Sequence, residues 1–189
     1  MLESAFSEFI KDWGYWAVFL GSIVEGESVL ITASALSAFG YLSIFKVFIV
    51  AFVTTVVVDQ ILFWIGYRMG TEWIIRKFPK LEKTRVRVFK LLNKMDIFFI
   101  FAFRFIYGIR TVSPLIIGSA KIKPSRFVIF NILSGFCWAA VGCFLGFTIT
   151  DAVMDGKFDA MPTVIAITFI IIIISVLVGL FIKAREKNE

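Results

Sequence analysis

Apart from Lys46 at the edge of one stretch, five acidic or basic side chains lie within apolar stretches of this chain of 189 residues: Glu25, Glu27, Asp59, Arg104 and Arg110. A charged group at the centre of a membrane helix costs about 2.5–3.5 kcal/mol, so five unpaired groups would cost on the order of 15 kcal/mol. They must therefore pair, reach water, or do both. Three acids and two arginines allow a nearly neutral cluster around a shared cavity. A structural ion-pair network, or side chains that extend to the membrane surface, would also compensate these charges. We favour the shared cavity, because ionisable groups inside a membrane mark ion or substrate paths by default.

Glycine and proline lie beside these charges and predict breaks in the helices that carry them. Gly26 separates the two glutamates, and Gly108 lies between the two arginines with Pro114 following. On a straight helix the two glutamates would diverge by about 200° and the two arginines by about 240°. Breaks at Gly26 and near Gly108, with Pro114 preventing regular continuation, would let each pair face one cavity. We therefore assign Gly26, Gly108 and Pro114 as structural hinges.

The two arginines are suited to binding a phosphate. A guanidinium can donate two parallel hydrogen bonds to a phosphate and keeps its charge in a medium of low dielectric constant. Backbone N–H groups and a helix N-terminus near the second break would add positive potential. We predict that Arg104 and Arg110 bind the anion, and that Thr111 and Ser113 either add hydrogen bonds or pack between helices. The three acids would compete for the arginines when no anion is bound, and one or more of them would carry a coupling proton.

The composition predicts a membrane protein. Hydrophobic residues make up 59% of the chain and the mean hydropathy is +0.90, whereas soluble domains are about 45–50% apolar. The excess lies in runs that approach or exceed the ~20 residues needed to cross a bilayer. The chain has no histidine, which excludes Ser-His-Asp hydrolases and His-ligated haem or zinc. Without an evident nucleophile–base pair, metal cluster or phosphate-cradling glycine loop, we predict no enzymatic activity, metal or cofactor.

Five apolar segments can be drawn, and the charges between them predict their topology. They are Tyr15–Phe39, Ile44–Gly66, Ile97–Ala120, Phe127–Thr148 and Pro162–Ile182. Fifteen of the 20 basic residues fall in three clusters, which follow the second, third and fifth segments. The positive-inside rule places all three clusters in the cytoplasm, which requires the third segment to enter and leave on the same side. This segment is therefore predicted to be a re-entrant hairpin, with loop 68–94 and the C-terminus cytoplasmic.

The first segment is predicted to form a second hairpin, which enters the membrane from the outside. Residues 15–66 and 97–149 would then each contain a hairpin followed by a crossing, in opposite orientation, which is a transporter architecture. An interfacial helix at 1–17, a basic amphipathic segment at 67–96, and a last crossing with a basic tail at 162–189 complete the chain. The predicted fold is an all-α integral membrane protein of the cell membrane, a single domain with two re-entrant hairpins and about three full transmembrane helices in an inverted repeat.

Three stretches of the sequence resemble the DedA family, whose members are also called SNARE-associated or VTT-domain proteins. These stretches are VEGESVLITASALSAFGYL, VDQILFWIGYRMG and FRFIYGIRTVSPLIIGSAKIKPSRFVIFNILSGFCW, and the resemblance runs from about Phe19 to Trp138. The block Arg104, Gly108, Arg110 is the most specific part. The resemblance implies lipid transport, and some family members are implicated in moving polyprenyl phosphates such as undecaprenyl phosphate. Others are implicated in moving phosphatidylethanolamine, in proton-dependent tolerance of alkaline pH, or in scrambling lipids.

The resulting hypothesis is a flippase for an anionic lipid phosphate headgroup, coupled to protons or cations. Three alternatives remain open: a proton-coupled antiporter for small cations, a phospholipid flippase or scramblase, and a non-transporting scaffold whose loop 68–94 docks a partner. We attribute the net charge of +6 to cytoplasmic loops that face anionic lipid, above all loop 68–94. We do not interpret it as a sign of nucleic-acid binding. Gly135, Gly142 and Gly146 could bring helices together within one chain or in a homo-oligomer.

Overall fold

All regular elements of the described residues are helical. The structure is a computed structural model, and it describes residues 2–24, 26–95, 97–106 and 109–154, with the side chains of 2–7 and 97 left aside. The α-helices are α1 (Leu2–Val24), α2 (Gly26–Ala38), α3 (Ile44–Lys77), α4 (Glu82–Met95), α5 (Ile97–Ala102), α6 (Ser113–Ser119) and α7 (Pro124–Met154). Short 3₁₀ turns follow α3 at Pro79–Leu81 and α5 at Phe103–Phe105.

The chain divides into two compact units, which are described separately. The first comprises residues 1–51 and 139–189, as far as they are described, and the second comprises 52–138. The boundaries between the units fall inside α3 and α7. They do not fall in the loops that the sequence analysis used to delimit its two predicted repeats, and the inverted repeat stays a prediction.

In the first unit, α1 and α2 form an antiparallel helical pair. Gly21 of α1 packs against Val29 of α2 so closely that a Cβ on Gly21 would lie 2.6 Å from a methyl group of Val29. Farther from the turn, the backbone N–H of Ser43 donates to the hydroxyl of Tyr15 at 2.9 Å. Helix α1 runs from Leu2 without interruption, so the predicted interfacial segment 1–17 and the first arm of the predicted hairpin share one helix. Whether this pair re-enters a membrane stays a prediction.

Helices α3 and α7 are long and apolar enough to cross a membrane. They contain 34 and 31 residues, and only 22% of the most apolar window of α3 is buried within the protein. Such exposed apolar surface is what lipid would cover. Helix α3 continues past the predicted end at Gly66 to Lys77, with a kink at Gly70, where φ is +77°. The predicted last crossing, 162–182, lies outside the described residues.

In the second unit, α6 packs directly on the backbone of α3. A Cβ on Gly66 of α3 would lie 1.9 Å from the carbonyl oxygen of Leu115, and a Cβ on Gly118 of α6 would lie 2.1 Å from that of Phe63. Only glycine permits these two approaches. Lys121, just after α6, donates a hydrogen bond to the carbonyl oxygen of Tyr67 on α3. Helix α6 is therefore fixed against α3 at two glycine contacts and at its C-terminal end.

The predicted third segment, 97–120, is broken into short helical pieces. Helix α5 and the turn at Phe103–Phe105 form its first part, and the seven residues of α6, all buried, form its second. Helix α4 packs against both α5 and α6. Three of its apolar residues, Val88, Leu91 and Leu92, are buried. Gly108 lies outside the described residues, so its role as a hinge stays a prediction.

Candidate functional site: a buried arginine on a broken helix

Arg104 and Asp59 form a buried ion pair in the second unit. Arg104 lies on the 3₁₀ turn that follows α5, and Asp59 lies in the middle of α3. Nη2 of Arg104 is 2.7 Å from Oδ2 of Asp59, and the two residues are only 6% and 8% exposed. This contact gives each charge a compensating partner, as the cost of an isolated charge in an apolar environment requires.

Two neutral side chains complete the surroundings of the guanidinium. Nη1 of Arg104 donates to Oγ1 of Thr55 at 2.5 Å, and Nη2 donates to Oδ1 of Asn131 at 2.6 Å. Thr55 precedes Asp59 by four residues, so both face the same side of α3. The amide nitrogen of Asn131, on α7, donates to the carbonyl oxygen of Val56 at 3.0 Å, which orients the amide with its oxygen toward the arginine. Arg104 is therefore held by one charged and two neutral acceptors.

Small residues on α7 make room for this arrangement. A Cβ on Gly135 would lie 2.6 Å from a methyl group of Val56 and 3.4 Å from Nη2 of Arg104. Beside it, the hydroxyl of Ser134 donates to the carbonyl oxygen of Phe101 at 2.7 Å and so ties the end of α5 to α7. Gly135 was considered at the sequence level only for helix packing, and the structure shows that it also accommodates the guanidinium.

The guanidinium retains donor capacity beyond its three bonds. Nε of Arg104 is buried and has no hydrogen-bond partner among the described residues. An arginine side chain carries five N–H donors, and a buried donor without a partner costs free energy. An anion with several oxygens would satisfy more of these donors than the single oxygen of Asp59 does. The Asp59 carboxylate therefore leaves part of the donor capacity of the guanidinium unused.

Arg110 belongs to the same electrostatic environment. It lies just beyond the break, is partly exposed, and is close enough to interact electrostatically with both Asp59 and Arg104. The second unit thus brings together one of the three predicted acids and both predicted arginines. One arginine is buried and the other is partly exposed.

The predicted hydrogen-bonding residues that follow Arg110 occupy different environments. Ser113 is fully buried, and its hydroxyl donates to the carbonyl oxygen of Ile109 at 2.7 Å, which suits the packing role that the sequence left open. Thr111 is exposed. Pro114 lies in the first turn of α6, where its missing N–H removes no helical hydrogen bond. Pro114 thus starts a new helix after the break.

The acids of the first predicted hairpin belong to the other unit. Glu27 is partly exposed in the first turn of α2, and Gly26 is buried at the start of that helix. Glu25 lies outside the described residues, as does Gly108. The predicted roles of Glu25 and Glu27 therefore stay predictions.

Sequence reasoning missed Thr55 and Asn131. A signal was present for both, because Asn131 is a strongly polar amide within an apolar run and Thr55 lies one helical turn before an intramembrane acid. Neutral polar groups cost less free energy in an apolar segment than charges do and are common in membrane helices, so their presence alone predicts little. Their importance is visible only when α3, α5 and α7 are seen together.

Comparisons with known proteins agree with the membrane assignment. The family model described as VTT domain matches residues 24–148. Inner membrane protein YohD of Escherichia coli is 27% identical over 95% of this chain and 94% of its own. A protein of Staphylococcus aureus named undecaprenyl phosphate transporter A is 26% identical over 93% of each chain. A Lactococcus lactis protein named alkaline phosphatase-like protein is 26% identical over 100% of this chain and 96% of its own. No solved structure gives a significant match.

Proposed function

The chain belongs to the VTT-domain family, also called the DedA or SNARE-associated family, and is a membrane protein; we propose that it transports an anionic lipid phosphate headgroup across the cell membrane. The proposed substrate is a polyprenyl phosphate such as undecaprenyl phosphate. The name of the Staphylococcus aureus relative supports this choice of substrate. The re-entrant hairpins, the inverted repeat and the cytoplasmic location of loop 68–94 belong to the same proposal.

The observation that carries the proposal is the buried Arg104. An arginine within apolar helices is costly, and here it is retained with one carboxylate, two neutral acceptors and an Nε that has no partner among the described residues. A guanidinium matches the geometry of a phosphate better than an ammonium does, because it can donate two parallel hydrogen bonds. The partly exposed Arg110 supplies a second positive charge to the arriving headgroup.

In the proposed cycle, the phosphate and Asp59 compete for Arg104. When the headgroup arrives, its oxygens replace the Asp59 carboxylate at Nη2 and can also accept from Nε. Thr55 and Asn131 are uncharged, so their hydrogen bonds to Arg104 do not depend on whether Asp59 is ionised. They hold the guanidinium in place during the exchange, while the hydrocarbon tail of the lipid stays in the bilayer.

Proton coupling follows from the same competition. Once displaced from Arg104, the Asp59 carboxylate is a buried charge without its partner, and taking up a proton removes that charge. Loss of the proton restores the ion pair and helps to expel the phosphate. Glu25 and Glu27 remain candidates for this role beside Asp59. No covalent bond of the lipid is made or broken in this cycle, so the proposed activity is not enzymatic.

The test is transport by purified protein in liposomes, with and without a pH gradient, while soluble headgroup analogues compete. We expect lipid phosphate to cross, a phosphate headgroup to compete, and Arg104→Lys to reduce the rate to background. The matched control is Arg85→Lys, because Arg85 lies on α4 and pairs with Glu82. Full transport by a correctly inserted Arg104→Lys protein would refute the assigned role.

Other outcomes of this assay would support the alternatives. Movement of phosphatidylethanolamine without competition by a phosphate headgroup would identify a phospholipid flippase. Exchange of protons for small cations without lipid movement would identify an antiporter. Release of inorganic phosphate from the lipid would identify an enzyme, a possibility raised by the name of the Lactococcus lactis relative.

A further inference from the structure

We propose that the second unit carries an additional binding site, for an anionic phospholipid, at the end of α3. A pocket of about 500 Å³ lies there, with residues 77–81 on one side and Val112 and Leu115 on the other. Pockets of 300–1,000 Å³ are typical for small ligands. This site is separate from the Arg104–Asp59 pair and does not depend on transport.

The position of the pocket along α3 is that of a membrane surface. The apolar part of α3 gives way to Arg76 and Lys77 in its last turn, where a spanning helix would leave the hydrocarbon. Trp73 lies one turn earlier, and the ammonium group of Lys77 is 5.6 Å from the centre of its indole ring. Tryptophan and basic residues are typical of the headgroup region of a bilayer. The pocket is therefore expected at the depth of lipid headgroups.

Part of the apolar surface of the basic segment is buried within the protein, and part of it is exposed. Val86 of α4 is 54% exposed, whereas Val88, Leu91 and Leu92 of the same helix are buried. Phe78, in contrast, is 46% exposed and lines the pocket. The accessible apolar surface of the predicted amphipathic segment 67–96 therefore includes a part that lines the pocket, beside Lys77 and Lys80.

The charge around the pocket is complementary to an anion. Residues 73–81 contain Arg76, Lys77 and Lys80 and no acid. The nearest acid that follows, Glu82, accepts hydrogen bonds from Arg85, and this contact raises the pKa of Arg85. An apolar floor with lysines at its edge matches a lipid whose phosphate meets Lys77 and Lys80 while its glycerol and first acyl carbons cover Phe78. A zwitterionic lipid would gain less from the same lysines.

Spin-labelled lipids in nanodiscs test this proposal with the full chain. The measured quantity is the association constant of spin-labelled phosphatidylglycerol relative to spin-labelled phosphatidylcholine, from the motionally restricted fraction of each label. Neutralising both lysines, in Lys77→Gln/Lys80→Gln, should lower the phosphatidylglycerol preference about 30-fold, which corresponds to roughly 1 kcal/mol per lysine. The matched control is Lys83→Gln/Lys94→Gln, which removes the same charge from exposed positions on α4 and should change the preference less than about twofold.

Two further variants separate this site from the general charge of the segment and from the proposed transport site. Phe78→Ser alters an exposed residue of the pocket and should weaken phosphatidylglycerol binding without a change in net charge. Arg104→Lys should leave the preference intact. Equal losses in the two lysine pairs would overturn the proposal in favour of a diffuse electrostatic effect. Loss of the preference in Arg104→Lys would also overturn it, because the bound lipid would then belong to the transport site.

Discussion

Removing both partners of the Arg104–Asp59 pair should destabilise the protein much less than the sum of the two single removals. Asp59→Asn leaves a buried guanidinium with Thr55 and Asn131 as acceptors, and Arg104→Met leaves a buried carboxylate without its cation. Breaking a buried ion pair on one side costs about 3–5 kcal/mol. We expect Asp59→Asn to lie near the lower limit, because Arg104 keeps two hydrogen bonds of 2.5 and 2.6 Å.

The double variant Asp59→Asn/Arg104→Met leaves no uncompensated charge. Its loss of stability should therefore be smaller than the sum of the single losses by about 2 kcal/mol or more, within the range of couplings measured for contacting residues. The assay is equilibrium unfolding of purified protein in mixed micelles, followed by far-ultraviolet circular dichroism. As a control, Asp59→Asn combined with Arg85→Met should be additive, because Arg85 pairs with Glu82. Additivity of the Asp59 and Arg104 variants to within about 0.5 kcal/mol would refute the pairing argument.

Three further predictions concern a hydrogen bond of Arg104 and the glycines of α3 and α6, and the same unfolding assay checks each of them. Thr55→Val removes the acceptor of Nη1 and should cost about 1.5–3 kcal/mol, as expected for a hydrogen bond to a charged group, whereas Thr55→Ser keeps the hydroxyl and should cost clearly less. Gly118→Ala places a Cβ against the backbone of Phe63 and should cost about 1–3 kcal/mol or more. Gly142→Ala should cost less than Gly118→Ala, because its Cβ meets only the end of a leucine side chain. In Gly70→Ala the added Cβ has no atom within 4 Å, but alanine must adopt a φ of +77°. We therefore expect a loss of stability of about 1–3 kcal/mol from backbone strain alone. Equal stability of Thr55→Val and Thr55→Ser would contradict the hydrogen bond to Arg104. Equal stability of Gly118→Ala and Gly142→Ala would contradict the close backbone contact of Gly118.

The pairing of Arg104 with Asp59 could be anticipated because the energetic argument is general. A charge in an apolar segment must find a partner or water, and few candidates were available in the sequence. The break between α5 and α6 was also predictable. Gly108 and Pro114 lie close together there, and proline does not continue a regular helix.

The contributions of Thr55, Asn131 and Gly135 could not be derived in the same way. Each depends on which face of α7 meets which face of α3, and this is determined by three-dimensional packing. Thr55 could be placed on the face of Asp59 from its spacing, but nothing in the spacing indicates that Asn131 approaches that face. A single glycine within a helix is equally compatible with packing against a helix and with accommodating a guanidinium.

The helix ends were predicted less well than the breaks. Helix α1 runs from Leu2 to Val24 as one helix and joins the predicted interfacial helix to the predicted hairpin arm, because residues 2–24 contain no proline, and a helix that ended within them would leave backbone groups unpaired. Helix α3 likewise continues past Gly66 into the basic region and ends at Lys77, two residues before Pro79. Hydropathy marks where a segment becomes polar, whereas the helix ends where its backbone hydrogen bonding ends.

The most direct test of the central claim is whether the bound phosphate touches Arg104. Solid-state NMR of the protein with a lipid phosphate in bilayers can measure dipolar coupling between phosphorus and the guanidinium nitrogens of isotopically labelled arginine. We predict a coupling that corresponds to a distance of about 4 Å and that disappears in Arg104→Lys but persists in Arg85→Lys. A bound lipid phosphate whose coupling is unchanged by Arg104→Lys, or that shows no coupling to any arginine, would contradict the account.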